Sequence, residues 1–203
     1  MSTISYAITA HNEHEELKAL LGQVSKYLAK GDEIVVQLDT TATEEVKEVL
    51  KEFADKITII HFPLEKNFAT YKNNLVMSCK CTNIVFLDAD EYVSEDFMMM
   101  VPLILEANPE VEMYRVPRWN TVEGLTPEHV RKWGWRIDDK GRVNWPDYQG
   151  RIMKRESEVK WVGKVHERLE GYKITAVLPN ELYIEHHKQI ERQENQNTFY
   201  DTI

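Results

Sequence analysis

Asn83-Ile84-Val85-Phe86-Leu87-Asp88-Ala89-Asp90 is the stretch that decides the fold. Its apolar centre predicts a strand buried on both faces. The strand runs without a turn residue into two carboxylates. Upstream, strand and helix signals alternate. Ile4 to Thr9 is a β-branched and aromatic run, followed by Leu17, Leu20, Leu21, Val24 and Leu28 at helical spacing. Gly31-Asp32 ends that helix, and Glu33 to Leu38 forms the next strand. Thr43 is a fitting N-cap for a helix carrying Val46, Val49, Leu50 and Phe53. Ile57 to Phe62 is a third strand closed by Pro63, and a helix over about Thr70 to Cys79 leads into the fourth.

Such alternation predicts right-handed crossovers and a mostly parallel central sheet with helices on both faces. Ligands of these sheets bind at the carboxyl ends of the strands. Three of those ends are polar here: His11-Asn12-Glu13, Asp39, and Asp88 with Asp90. Downstream, a helix over about Ser94 to Ala107 is expected to bend or break at Pro102, before a strand over Met113 to Pro117. From Trp119 to Lys164, glycines punctuate short aromatic and basic segments, which reads as long loops and short strands. Leu182 to His186 is a last strand, and Glu191 to Tyr200 a polar terminal helix.

A chain of 203 residues fits one domain, 1–203, with its own core. The 42% apolar and 29% charged content excludes disordered and collagen-like classes. No apolar run is long enough to cross a bilayer. Met1-Ser2-Thr3-Ile4-Ser5 lacks the basic start of a signal peptide, and Cys79 and Cys81 fit no metal or redox spacing. A cytoplasmic protein with reduced thiols is expected, with peripheral docking at a membrane left open. The net charge of −9 argues against nucleic acid as partner. Residues 115–168 nevertheless hold 13 Lys/Arg against 8 Asp/Glu, together with all five tryptophans. The second half is thus a different surface from the first.

Two carboxylates two residues apart at a strand's fraying end can approach one divalent cation. Oxygen ligands suit Mg²⁺ or Mn²⁺, which complete their shells with water and substrate phosphates. The rival reading is an acidic turn. Position after a buried fourth strand favours the site.

With these residues in view, the chain resembles a family 2 glycosyltransferase of the GT-A, Rossmann-like fold. The resemblance rests on Ile8-Thr9-Ala10-His11-Asn12-Glu13, Ile34-Val35-Val36-Gln37-Leu38-Asp39, Asn67-Phe68-Ala69-Thr70-Tyr71-Lys72-Asn73 and Val85-Phe86-Leu87-Asp88-Ala89-Asp90-Glu91. Later segments, Gln149 to Arg155 and Gly163 to Glu167, resemble the branch of lipopolysaccharide-core-type sugar transferases. The resemblance implies a nucleotide-sugar-binding half over about 1–110 and an irregular acceptor-binding and catalytic half over about 111–203.

It also implies a metal-dependent inverting transfer from a nucleotide-diphosphate sugar, most simply a UDP-sugar, to a hydroxyl of a saccharide or glycoconjugate. Ala10, His11, Asn12, Glu13 and Asp39 fall on the nucleoside side, and Asn67, Lys72 and Asn73 face the donor. Asp88 and Asp90 hold Mn²⁺ or Mg²⁺ against the diphosphate, Asp88 also serving the donor directly, with His166, His186 or His187 as a late metal or phosphate contact. His186, the first choice, shares strand parity with Leu182 and Ile184 and reads as a core histidine as well. Arg151 is a candidate clamp on the diphosphate. Glu167 is the first candidate for the base that takes the acceptor proton, and Asp147 the second. Trp119 and Trp145 are candidate stacking partners for the acceptor sugar. Thr40-Thr41-Ala42-Thr43 departs from the acidic or small residues that usually follow Asp39, which loosens the expected base preference.

Rival functions stay in view. A metallohydrolase built on His166-Glu167 would need a second histidine at position 170, which is Glu170. A nucleotidyltransferase would carry a Gly-rich loop after the first strand, where His11-Asn12-Glu13-His14 has none. A catalytically inactive nucleotide-sugar- or carbohydrate-binding relic of the same fold is the non-enzyme alternative.

Overall fold

The computed structural model describes residues 2–200 and 202–203; Met1, where the leader reading begins, lies outside them. The first half builds a parallel block. Strands β1 (Ile4–Ala10), β2 (Glu33–Leu38), β3 (Ile57–His61) and β4 (Asn83–Asp88) pair in the order β3-β2-β1-β4. Alternation sorts their side chains. Ile4, Tyr6 and Ile8 face the core under α1 (His14–Tyr27), α2 (Glu44–Glu52) and α4 (Glu95–Ala107). Ala7, Val35, Ile84 and Phe86 face the other core, under α3 (Phe68–Ser78). Helices therefore cover both faces of a mixed α/β fold.

Local chemistry fixes the helix starts. Thr43 accepts from the Val46 amide at 3.5 Å, Asn67 from Thr70 at 3.0 Å and Ser94 from Phe97 at 3.0 Å. Helix α4 runs through Pro102, where the sequence suggests a break. Only one backbone bond is lost there, and Phe97, Met98, Val101 and Leu105 are buried on both sides of it.

Past β4 the sheet curls. Ala89 and Asp90 alone separate β4 from β5 (Glu91–Val93), a reach of roughly 10 Å over three peptide steps. Yet β5 pairs antiparallel with β11 (Ile184–Gln189), at the far end of the path β4-β7-β6-β11-β5. Those strands must wrap back towards the end of β4. The region read as loops and short strands does hold loops and a short strand, but it also contains the end of β6 (Met113–Glu123) and all of β7 (Val143–Lys154), a long antiparallel pair bridged by α5 (Pro127–Trp133). Interruptions in its pattern coincide with register shifts at Tyr114/Arg115 and Arg118/Asn120. These shifts break the two-residue alternation without ending the strands.

The small pair β8 (Lys160–Val162) and β9 (Arg168–Glu170) packs beneath α3, with Trp161 edge-on to Phe86 at 5.0 Å. Strand β10 (Thr175–Val177) adds to β6, and α6 (Ile190–Tyr200) follows β11 directly.

Candidate active site

The carboxyl ends of β1 and β4 meet the curled strands in a chain of alternating charges. Glu167 contacts Lys72 Nζ at 2.8 Å, and Lys72 reaches Asp88 Oδ1 at 3.3 Å. Both terminal nitrogens of Arg151 bond Asp88 Oδ2, at 3.0 and 3.1 Å, and one also reaches Glu91 at 2.5 Å. Glu91 continues to Arg118 at 3.5 Å, and Arg118 to Asp147 at 2.9 Å. Lys72, Arg151 and Glu91 are buried. Removing one partner from such a buried pair costs about 3–5 kcal/mol, so the network also holds the fold together.

The D-x-D carboxylates part company at the turn after β4. Asp88 is saturated: Oδ1 accepts from the Thr9 hydroxyl at 2.9 Å and faces Lys72, while Oδ2 takes Arg151. Burial alone would raise its pKa; the Lys72 and Arg151 charges outweigh burial and hold the carboxyl well below the usual range. Asp90 turns instead towards β11. Its Oδ2 lies 3.3 Å from His186 Nε2 and 3.4 Å from Arg192 of α6. Burial there is likewise outweighed by His186, Lys188 and Arg192, so Asp90 stays ionised. His186 is shifted down by burial, against the pull of Asp90.

Asp90 and His186 fit a divalent cation in donor chemistry, one carboxylate oxygen and one ring nitrogen. Among the described residues no three His, Cys, Asp or Glu side chains form a metal-ligating group. The rest of a shell would thus come from water and a substrate's phosphates, as Mg²⁺ and Mn²⁺ favour.

The residues expected on the nucleoside side gather around the ends of β1 and β2. Asp39 accepts from the Thr41 amide and hydroxyl at 2.8 and 2.5 Å and from the Leu64 amide at 2.8 Å. Burial is offset by those bonds, and its pKa is lowered. The hydroxyl of Thr41 thus takes up the turn-making role where the family's usual residues are missing, and it also meets His11 Nε2 at 3.1 Å. Glu13 Oε2 accepts from the His11 and Asn12 amides at 2.9 and 3.0 Å, and its Oε1 meets Arg192 at 2.9 Å. Ala10 is buried in the core, its carbonyl accepting from the Asp39 amide at 3.2 Å. Open clefts flank Arg192, one reaching Asn12 and His14, the other Thr121 and Lys188.

The other candidates are engaged within the fold, Asp147 at the end of the charge chain and the rest apart from it. Asn67 caps α3, and Asn73 pairs with the Trp161 backbone through two 2.9 Å bonds. Asp147 accepts from Arg118, Asn120 and Gln149; against the opposing effect of burial, these hold its pKa down and leave no basic oxygen free. Trp119 alternates with Arg118 and Asn120 and so occupies the opposite face from His186. There it packs on Trp145 at 5.9 Å and Tyr183 at 5.1 Å, with the Arg142 guanidinium over both tryptophans. His187 points away from Asp90, and His166 sits beside Tyr200 at 5.4 Å. Sequence reasoning missed Thr9, Glu91, Arg118, Asn120 and Arg192. Only Glu91, next to the D-x-D element, offered a local signal.

The model of glycosyl transferase family 2 matches residues 5–163. The chain belongs to glycosyl transferase family 2. This family 2 chain is similar in fold to the crystal structure of S. aureus TarS 1-349, with a TM-score of 0.64 at 10% identity. The similarity covers 92% of this chain and 60% of that one. The same TarS segment in complex with UDP gives 0.64 at 13% identity, covering 92% and 60%. Its complex with UDP-GlcNAc gives 0.63 at 12%, covering 93% and 59%. The chain thus spans about three fifths of the length of these structures. No curated protein matches it.

Stability of this glycosyl transferase family 2 chain should fall with pH in two windows. His186, with a lowered folded pKa, resists a proton that the unfolded chain accepts. Stability therefore declines as pH drops below about 6.5 towards the folded value. Asp88 and Asp147 are also lowered, so their contribution is present above about pH 4 and lost below it. Urea midpoints from pH 8 to 3 should show both declines, the upper one missing in His186→Gln. A midpoint rising between pH 7 and 5 would instead mean a stabilising imidazolium.

Proposed function

We propose that this chain is a metal-dependent, inverting glycosyltransferase, moving a sugar from a nucleoside-diphosphate sugar, first of all a UDP-sugar, to a hydroxyl of a saccharide or glycoconjugate. Family membership supports the reaction class. The fold shared with a protein whose structures contain UDP and UDP-GlcNAc supports the donor class. The observation that carries the reading is Asp90 beside His186 just past the end of β4, with the buried cations Lys72 and Arg151 gathered on Asp88 two residues before it.

Asp90 and His186 would hold Mn²⁺ or Mg²⁺. When bound, the cation neutralises the diphosphate leaving group as a Lewis acid. Arg192 bonds Asp90 and Glu13 together, so its Asp90 contact opens for the donor to enter. Asp88 serves as the fixed anion that keeps Lys72 and Arg151 extended towards the donor side. Glu167, held by Lys72, is our choice of base for the acceptor proton; the full engagement of Asp147 supports it over that residue. No described helix is long and apolar enough to cross a membrane, in keeping with use of a cytoplasmic donor pool, from which a surface-bound acceptor could also be served.

A thermal-shift panel of nucleotide sugars with and without Mn²⁺ tests this. A cognate donor at about 100 times its Kd adds about 2.7 kcal/mol, or roughly 5–10 °C for a chain of this size. A UDP-sugar shift that requires Mn²⁺ is expected. The absence of any sugar-nucleotide shift would overturn the proposal.

A further inference from the structure

Inside the curl, one hydrogen-bond chain crosses three strands to reach Asp90. Asn120 Nδ2 donates to Asp147 Oδ2 at 2.8 Å, Asn120 Oδ1 faces His186 Nδ1 at 2.8 Å, and His186 Nε2 faces Asp90 at 3.3 Å. The cross-strand partners Arg118↔Asp147 and Asn120↔His186 bring it together. Donor and acceptor inventory sets its direction. An ionised carboxylate only accepts, so the amide end facing Asp147 is the NH₂ group. The Asn120 carbonyl is then left for His186, and a carbonyl accepts only from an N–H. Nδ1 therefore carries a hydrogen. Asp147 cannot turn away, because Arg118 holds its Oδ2 at 2.9 and 3.1 Å and Gln149 holds its Oδ1 at 2.7 Å.

We infer that Asn120, oriented by Asp147, is a positioning residue that holds a hydrogen on His186 Nδ1, so that when a cation takes up Asp90 it is Nε2 that gives up its hydrogen and serves as the electron-pair donor. Ring nitrogens that bind metals are commonly set by the bond made at the opposite nitrogen. The functional consequence rests on the cation reading proposed above. Asp90, an acceptor at Nε2, competes for the same hydrogen, so the pull of Asn120 is read most cleanly where Asp90 is replaced. Asp147 acts through Asn120: with an amide at 147, the Asn120 side chain can turn over, offer NH₂ to Nδ1 and drive the hydrogen to Nε2.

The test is ¹⁵N NMR of histidine-labelled, metal-free Asp90→Ala protein above about pH 8, where imidazole is neutral and no carboxylate competes at Nε2. His186 is expected in the Nδ1–H form there, and Asn120→Ala and Asp147→Asn, added to that background, are expected to lose the preference; each is also made singly in wild type for the titration. Titration with Mn²⁺, following free Mn²⁺ by EPR, should show 10–100-fold weaker binding in both variants. His186 carrying its hydrogen on Nε2 in Asp90→Ala would overturn the inference. So would variants whose tautomer and Mn²⁺ affinity both match those of their parent proteins. The expected tautomer together with no Mn²⁺ binding by wild type would uphold the positioning role and overturn the cation reading instead.

Discussion

Asp90→Ala should leave a folded protein whose UDP affinity no longer responds to Mn²⁺ and whose turnover is lower by on the order of 10³ or more. The magnitude follows from the charge that develops on a leaving diphosphate. A bound cation contributes several kcal/mol to its stabilisation, and each 1.36 kcal/mol is a factor of ten in rate. In the proposed site Asp90 is one of two protein donors, and His186 alone would be a weak anchor for a hard cation. The fold should survive, because Arg192 keeps its Glu13 and Glu16 partners and His186 keeps Asn120. Calorimetric titration of UDP with and without Mn²⁺, beside steady-state transfer, measures both effects. An unchanged Mn²⁺ response would remove Asp90 from the mechanism.

Glu167→Gln separates chemistry from binding. The amide cannot take the acceptor proton, and loss of a general base costs about 10²–10⁴ in rate. Lys72 keeps its 3.3 Å contact with Asp88, so the donor side stays assembled and the Mn²⁺-dependent UDP affinity should stay within about twofold. Transfer and donor binding measured on one preparation would show the split. If transfer proceeds at the wild-type rate, another group takes the proton.

The first half of the chain was largely legible. Short apolar strands, N-caps and polar strand ends are local signals, and Thr43 caps α2 as its sequence context suggests. The D-x-D pair was legible as a position but not as a division of labour. In the strand pattern Asp88 and Asp90 look alike. The turn between β4 and β5 sends Asp88 under α3, to Lys72, and Asp90 across to β11, to His186. That divergence depends on the pairing of Glu91 with His186, residues almost a hundred positions apart, which no local periodicity encodes. The histidine on the last strand read equally well as a core residue or a ligand. It proves to be both buried and aimed at Asp90.

The tryptophan-rich section misled for a related reason. Bulges hide the long strands β6 and β7, and side-chain alternation then carries Trp119 to the face opposite His186. What the sequence by itself determined is the parallel nucleus with its acidic carboxyl ends, because hydrophobic period and capping act within a few residues. What only the tertiary structure decided is which charged groups meet there. The curl of the sheet sets the neighbours of each carboxylate, and in a low-dielectric interior those neighbours fix its charge and its availability.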